Sequence, residues 1–424
     1  MPLGVGVVGA GTVGGGVIQT LVSNAATIRD KAGVDVALRH VADLNTDLFR
    51  GYDLDGVAVS KDAGALIQDP RVDVVCELIG GIEPAKRFIL AALNNKKHVV
   101  TANKMLLAKH GVELCEAAVR NGVELRYEAA VAGTIPIIKA LRESLASNHV
   151  QAIYGILNGT CNYILSRMTF EGLDFDSVLR QAQEKGFAET PPDLDVLGHD
   201  TAHKCQILAS LAYCTKVDLE KIYVEGITKI THLDVSYARE MGRVIKLLAI
   251  IRKVEGEIEA RVHPTLVPET HLLASVRNEF NGVYVECDIA DATLYYGRGA
   301  GRLPTASAVV SDIVDIARGK GTQAQPPFRY SHSIDVRDIG LLEGRYYLRL
   351  TTADHPGVLG RVATILGTHG VGIASVIQKE ESEHAPAHIV MMTDATVESS
   401  LMAALSEIDA LADTVEPTLM LRVL

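Results

Sequence analysis

The chain lacks most of the features that would set it apart from ordinary soluble enzymes. No apolar run approaches the roughly 18 residues of a membrane-spanning helix, although 48% of the 424 residues are hydrophobic. Basic residues are in the minority, with 41 Lys and Arg against 52 Asp and Glu and a net charge of −11. That balance argues against nonspecific nucleic-acid binding and against a basic membrane-facing surface. No basic segment precedes an apolar stretch at the start, so no secretion signal is read and a cytoplasmic location is expected. The six cysteines, at positions 76, 115, 161, 205, 214 and 287, form no C-x-x-C pair, and the histidines show no zinc spacing. They read as reduced, buried thiols. The length allows two or three domains.

Against these absences stands a glycine-rich start. Leu3 to Gly16 reads LGVGVVGAGTVGGG. Val5, Val7 and Val8 suggest a buried strand, and Val17, Ile18, Leu21 and Val22 begin a helical pattern. Between them Gly9, Gly11 and Gly14 fit G-x-G-x-x-G. In that motif the first glycine makes the tight turn and the second admits a pyrophosphate. The third lets helix and strand pack closely, with the helix N-terminus facing the phosphates. Gly9, Gly11, Thr12, Val13 and Gly14 are therefore cofactor candidates. Asp35 to Val41 reads as the second strand, and Asp43 after it is placed to read ribose hydroxyls, which favours NAD. Arg39 and Arg50 lie close in sequence and would suit a 2′-phosphate, so NADP stays open.

Strand and helix then alternate: Val72 to Leu78, Pro84 to Leu93, His98 to Thr101, Leu106 to Arg120 and Gly122 to Tyr127. This rhythm implies a parallel, doubly wound sheet. Ligands bind at the carboxyl ends of such strands, and Lys104 lies just past one of them. A solvated loop lysine is the plain alternative.

From about 130 to 300 the pattern changes to an α+β rhythm. A helix is expected over Pro136 to Leu145, a strand over Val150 to Leu157, a short helix over Asn162 to Met168, and strands near 245–252, 257–263, 281–287 and 292–296. Gly297-Arg298-Gly299-Ala300-Gly301 is a second glycine cluster, which either makes a turn or, through Gly301, lets the backbone approach the cofactor. Thr305 to Ala317 reads as a helix that packs back on the first domain.

The segment Gly186 to Lys204 collects Glu189, Asp193, Asp195, Asp200 and Lys204 ahead of a helical run. Asp200 and Lys204 are four apart and share a helix face. An exposed ion pair is the ordinary meaning of that spacing. A lysine beside an acid at the mouth of an acid-rich loop is also what a site needs to protonate an oxygen.

The region from 319 to 344 is polar and loop-like, a linker. Beyond it, strands at Tyr346 to Thr351, Ile373 to Lys379, His388 to Met392 and Leu419 to Leu424 alternate with helices up to His369 and over Ser399 to Ala410. That order is β-α-β-β-α-β, a ferredoxin-like unit.

Taken in order, Gly9 to Gly14, Thr101-Ala102-Asn103-Lys104, Gly155 to Tyr163 and Pro192-x-x-Asp195-Val196-x-Gly198-x-Asp200-x-x-x-Lys204 resemble the monofunctional homoserine dehydrogenases. Asp354-x-Pro356-Gly357-Val358-Leu359 is similar to the ACT domains that some of them carry. One departure is visible: Pro191 stands where the family often has a small polar residue, and it is expected to stiffen the loop. The resemblance covers nearly the whole chain. It implies a Rossmann-type domain (1–130), an α+β catalytic and dimerisation domain (131–318), a linker (319–344) and an ACT regulatory domain (345–424).

The activity implied is reversible NAD(P)-linked conversion of L-aspartate 4-semialdehyde to L-homoserine, a step toward threonine and methionine. The resemblance implies Lys204 as proton donor and Lys104 as a partner that binds or polarises the reacting oxygen and touches the cofactor. Asp200 would tune the lysine, Glu189 would hold the substrate's ammonium, and Asp195 would assist. It further implies a monovalent cation, sodium, on main-chain oxygens of Glu128, Val131, Gly133 and Ile135. Threonine is the implied effector, and a homodimer or homotetramer the implied assembly, with no nucleic-acid or membrane partner. Two other readings stay open: an ACT-bearing dehydrogenase of 2-hydroxy acids, and an amino-acid sensor without turnover.

Overall fold

The computed structural model describes residues 2–319, 328, 330–379 and 386–424. Two compact units emerge. One comprises Met1–Gln151, His203–Leu219 and Phe280–Ile334, the other Ala152–Ala202, Glu220–Glu279 and Asp335–Leu424.

The first unit holds a six-stranded sheet built from β1 (Leu3–Val8), β2 (Val36–Ala42), β3 (Ala58–Ser60), β4 (Val74–Glu77), β5 (His98–Thr101) and β6 (Leu125–Arg126). Its order is β3-β2-β1-β4-β5-β6, and every pair is parallel. β1 and β4 are buried along their whole length, as the apolar sequence of a strand covered on both faces requires. The chain order reverses between β1 and β4, and this opens a crevice at their carboxyl ends. Helix Thr12–Ser23 follows β1, and helix Lys104–Asn121 follows β5.

Helix Arg302–Arg318 packs on Thr12–Ser23. Val17, Ile18 and Leu21 share one core with Val309, Ile313 and Ile316. Gly16 makes the approach possible: a Cβ there would lie 2.5 Å from the Arg302 carbonyl oxygen. Strands Phe280–Cys287 and Ala292–Arg298 form an antiparallel hairpin in the same unit.

In the second unit, strand Val150–Ile156 pairs with Arg243–Val254, which pairs with Glu257–Pro268, both antiparallel. Helix Gly159–Glu171 follows the first of these strands. The outer edge of Glu257–Pro268 takes three short partners: Val336 at Ile258, Tyr223–Val224 at Arg261 and Val262, and Arg422 and Val423 at Thr265 and Leu266.

The C-terminal part runs Tyr346–Thr352, helix Val358–Thr368, Ile373–Gln378, Ala387–Thr393, helix Glu398–Asp409 and Thr414–Val423. Its strands lie in the order last, first, third, second, all antiparallel. Both helices bury Val362, Leu366, Leu401 and Leu405 against Leu348, Leu350 and Ile389 of the sheet. This is the expected ferredoxin-like unit.

Several bounds differ from the sequence reading. The expected helix Pro136 to Leu145 is α-helical only over Ile137–Lys139 and widens to π-type turns over Ala140–Ser144, with the Leu145 N–H donating to the Ala140 carbonyl at 2.8 Å. The last strand starts at Thr414 rather than Leu419. Helices Ala25–Ala32, Ala63–Gln68, Phe175–Glu184 and His232–Glu240 have no counterpart in the sequence reading. Of the expected linker, residues 320–327 and 329 lie outside the described residues. Among the described residues no helix is long and apolar enough to cross a membrane, and the cysteines are free thiols.

Candidate active site

In the first unit the glycine motif forms the turn after β1. Gly9 takes φ +93°, a conformation that favours glycine. A Cβ on Gly14 would lie 1.8 Å from the Gly9 carbonyl oxygen, so the third glycine is required by helix-to-strand contact. Gly11, in contrast, faces open space, with nothing within 4 Å of where its Cβ would stand. It precedes helix Thr12–Ser23 and supplies no side-chain cap. Thr12 is exposed and Val13 half-buried in the first turn. The geometry is that of an anion site at a helix N-terminus.

Asp43 sits at this turn. Its carboxylate accepts from the Ala10 N–H at 2.7 Å and from the Asn45 N–H at 2.8 Å. Of the two basic residues that compete with it in sequence, exposed Arg50 pairs with Asp47 at 2.8 Å, and the Cγ of Arg39 lies 3.3 Å from where a Gly4 Cβ would stand.

Lys104 begins the helix after β5, at the carboxyl edge of the sheet. Asn103 caps that helix by accepting from the Leu106 N–H at 3.1 Å, and donates to the Gly81 carbonyl at 2.6 Å. Helix Lys104–Asn121 is tied to the lysine of the second motif through Gln206, whose side-chain amide donates to the Ala108 carbonyl at 3.1 Å and to the Val217 carbonyl at 2.8 Å. Ala108 lies one turn past Lys104, and Gln206 lies two residues past Lys204.

Asp200 and Lys204 stand one turn apart on helix His199–Ala212. They are only 4% and 8% exposed, which sets aside the solvated ion pair as their role. A buried acid and lysine are costly unless they are hydrogen-bonded.

In the second unit Asn158 organises the acids. Its side-chain amide donates to Asp195 at 2.7 Å and to Asp200 at 2.9 Å, while its oxygen caps helix Gly159–Glu171 by accepting from the Cys161 N–H at 2.8 Å. The Cys161 thiol donates to the Asp195 carbonyl at 3.2 Å. Thr160 holds the preceding loop by donating to the Phe187 carbonyl at 2.6 Å, and Phe187 packs edge-on against Tyr163 at 5.2 Å. The Thr190–Pro191 bond is cis. Glu189 stands apart from this cluster on an exposed stretch. Asn158 enters the sequence reading only as part of a motif. Its role depends on acids 37 and 42 residues away, and no local signal announces that.

The remaining candidates lie in the turn after β6. Ala132 and Gly133 both take φ +56°. The Glu128 and Ile135 carbonyls accept from Val131 at 3.4 Å and Ile137 at 2.8 Å. The Glu128 carboxylate accepts from the Ile138 and Lys139 N–H groups at 2.9 and 2.8 Å, and burial pushes its pKa up to about 7. Its own N–H donates to Asp312, whose pKa burial pushes up to about 8. Among the described residues no group of three or more His, Cys, Asp or Glu could hold a metal.

The second glycine cluster packs against that same turn. A Cβ on Gly133 would lie 2.6 Å from the Arg298 oxygen and from Gly299, and Thr134 donates twice to the Arg298 carbonyl. Gly301 takes φ +120° ahead of helix Arg302–Arg318.

Comparison with known proteins agrees with this architecture. Residues 9–128 match the family model "Homoserine dehydrogenase, NAD binding domain", 136–314 match "Homoserine dehydrogenase" and 346–413 match "ACT domain". The chain is 43% identical to homoserine dehydrogenase of Neisseria gonorrhoeae, over 99% of this chain and 98% of that protein. It is 42% identical to that of Pseudomonas aeruginosa, over 100% and 99%. A crystal structure of a homoserine dehydrogenase from Thiobacillus denitrificans superposes with a TM-score of 0.93 at 42% identity, covering 100% of this chain and 98% of the other. A hyperthermophilic archaeal homoserine dehydrogenase in complex with NADPH shares the fold, with a TM-score of 0.64 at 23% identity over 77% of this chain and all of that one.

Proposed function

This chain belongs to the homoserine dehydrogenase family and is an oxidoreductase of that activity; from that premise we propose how its residues share the work and how it is controlled. The chemistry interconverts the alcohol carbon of homoserine and the aldehyde carbon of aspartate 4-semialdehyde. A bound nicotinamide dinucleotide supplies or accepts the hydride. The protein must then move one proton at the substrate oxygen.

Lys204 donates that proton in the reducing direction and takes it back in the other. The observation that carries this assignment is its burial on one helix face with Asp200, whose carboxylate Asn158 holds from a third position. Asp200 favours the charged, acid form of the lysine, as a nearby opposite charge does. Lys104 binds the reacting oxygen at the carboxyl edge of the sheet and touches the cofactor. Asp195 aids substrate binding from the same amide clamp, and exposed Glu189 takes the ammonium. Gly9, Gly11, Thr12, Val13, Gly14 and Gly301 line the cofactor.

We assign NAD as the preferred cofactor. Asp43 stands at the glycine turn, where it accepts from the Ala10 N–H, while Arg50 is paired with Asp47. Asp43→Ser is expected to raise the NADP-to-NAD ratio of kcat/KM. A monovalent cation on the 128–135 carbonyls would fix that turn and does not enter the proton transfer. The domain division 1–130, 131–318, 319–344 and 345–424 is part of the same reading, as are a cytoplasmic location and a homodimer or homotetramer. The reaction belongs, on this reading, to the route to threonine and methionine, with threonine acting through the ACT unit. Millimolar threonine that altered neither activity nor Tm would sink that last element.

The direct test is homoserine-dependent reduction of NAD and of NADP at alkaline pH, on wild type and on Lys204→Ala. A fall in kcat of roughly a hundredfold or more, the scale of general acid–base catalysis, is expected. Turnover that survives the change would move the proton transfer to Lys104 or a water.

A further inference from the structure

Resting on the role just assigned to Lys104, we propose that Glu77 and Thr101 are positioning residues for that lysine. They fix the end of β5, and with it the Asn103 cap from which the Lys104 helix starts.

Glu77 ends β4 and is 1% exposed, an uncommon place for a carboxyl group. One oxygen accepts from the Thr101 hydroxyl at 2.8 Å and the other from the Ile79 N–H at 2.9 Å. The Thr101 hydroxyl in turn accepts from the Asn103 N–H at 3.1 Å. Asn103 carries the chain onward by capping the helix at Leu106 and by reaching the Gly81 carbonyl. One buried carboxyl thus ties the loop after β4, at the edge of the crevice, to the loop after β5 from which the Lys104 helix starts. Burial raises its proton affinity, while the Thr101 hydroxyl and the Ile79 and Gly80 N–H groups oppose the rise. An orphaned carboxyl or hydroxyl here would cost more than the net value of a surface hydrogen bond. The network therefore holds the backbone from which Lys104 projects.

The experiment is a double-mutant cycle between Thr101→Val and Lys104→Ala in the full chain. Thr101→Ser is the conservative control, and Glu77→Gln is a second entry into the same network. Thr101→Val is expected to lower kcat about tenfold, with the KM values for NAD and homoserine within twofold of wild type. Thr101→Ser is expected to restore kcat. In the Lys104→Ala background Thr101→Val should cost nothing further, because its effect passes through the missing amine.

An undiminished tenfold loss in that background would overturn the proposal. So would a rise in the KM for NAD at constant kcat, which would assign the network to cofactor binding alone. A lowered Tm with unchanged kinetics would overturn it too. If Lys104→Ala itself leaves kcat intact, the role of Lys104 fails rather than the network, and the two results are told apart. Should Thr101→Val not fold, Glu77→Gln carries the same comparison.

Discussion

The side-chain amide of Asn158 lies 2.9 Å from the carboxylate of Asp200, forty-two residues further along the chain, and points a hydrogen at it. The same nitrogen reaches Asp195, and the oxygen of that amide caps the following helix. Asn158→Asp separates these duties. Aspartate caps a helix about as well as asparagine, but it would set a third carboxylate against two. The variant is expected to lose at least tenfold in kcat and about 1–3 kcal/mol of stability. Steady-state kinetics and urea titrations at pH 5 and 8 check this. Equal values for the variant and wild type would remove the clamp from the account.

Gly11 and Gly14 make opposite demands. Gly14→Ala forces a methyl onto the Gly9 carbonyl and should lower Tm sharply or prevent folding. Gly11→Ala meets no protein atom, so Tm of the free enzyme should stay within a few degrees. Its methyl would stand where a pyrophosphate approaches, so the Kd for NAD should rise tenfold or more. Thermal shift with and without NAD separates the two. A Gly11→Ala enzyme with normal affinity would show that the open face at Gly11 is not the phosphate site.

Asp312 makes stability fall as pH rises. Burial lifts its folded-state pKa to about 8, from the 3.8 of an ordinary aspartate. Between those limits the folded form keeps a proton that the unfolded chain releases, so folding weakens with increasing pH. Glu128, lifted to about 7 by burial, adds to the same slope. Asp312→Asn can still accept from the Glu128 N–H and does not titrate. Its melting temperature should change less between pH 5 and 8 than that of wild type. An identical slope in the two proteins would contradict this.

Lys246 acts in the other direction and in a higher window. It is 2% exposed, and its ammonium nitrogen donates to Asn162 at 3.0 Å and to the Val276 carbonyl. Burial brings its pKa down to about 7 from 10.5. Above 7 the folded state holds fewer protons than the unfolded chain, so its contribution rises from there toward 10.5. Lys246→Met should abolish that alkaline gain, measured as Tm at pH 7 and pH 9.

The dinucleotide turn is legible in the sequence because its chemistry is local: three glycines, a strand and a helix lie within fourteen residues. The βαββαβ order at the C-terminus is legible for the same reason. Other features depend on distant partners. The last strand begins at Thr414 although Pro417 lies inside it. The pairing shifts there, with Leu419 opposite Arg349 and Glu416 opposite Thr351, so the proline falls where the ladder is already broken. Helix His232–Glu240 carries a full capping box from Thr231 and Asp234, a local signal that the apolar periodicity alone does not reveal. The burial of Asp200 and Lys204 has no local signature at all, since i,i+4 acid–lysine spacing is the same on a wet face and a dry one.

Arg422 pairs with Glu398 inside the ACT unit and with Glu225 outside it, and the strand it ends continues onto Thr265 and Leu266. The ACT unit is therefore also a hem. It closes a stretch of sheet margin that Tyr223–Val224 and Val336 leave uncovered. A chain cut before residue 345 would expose those backbone groups as a template for another strand. Such a chain is expected to self-associate through that margin, which sedimentation of the shortened chain against the full one would check.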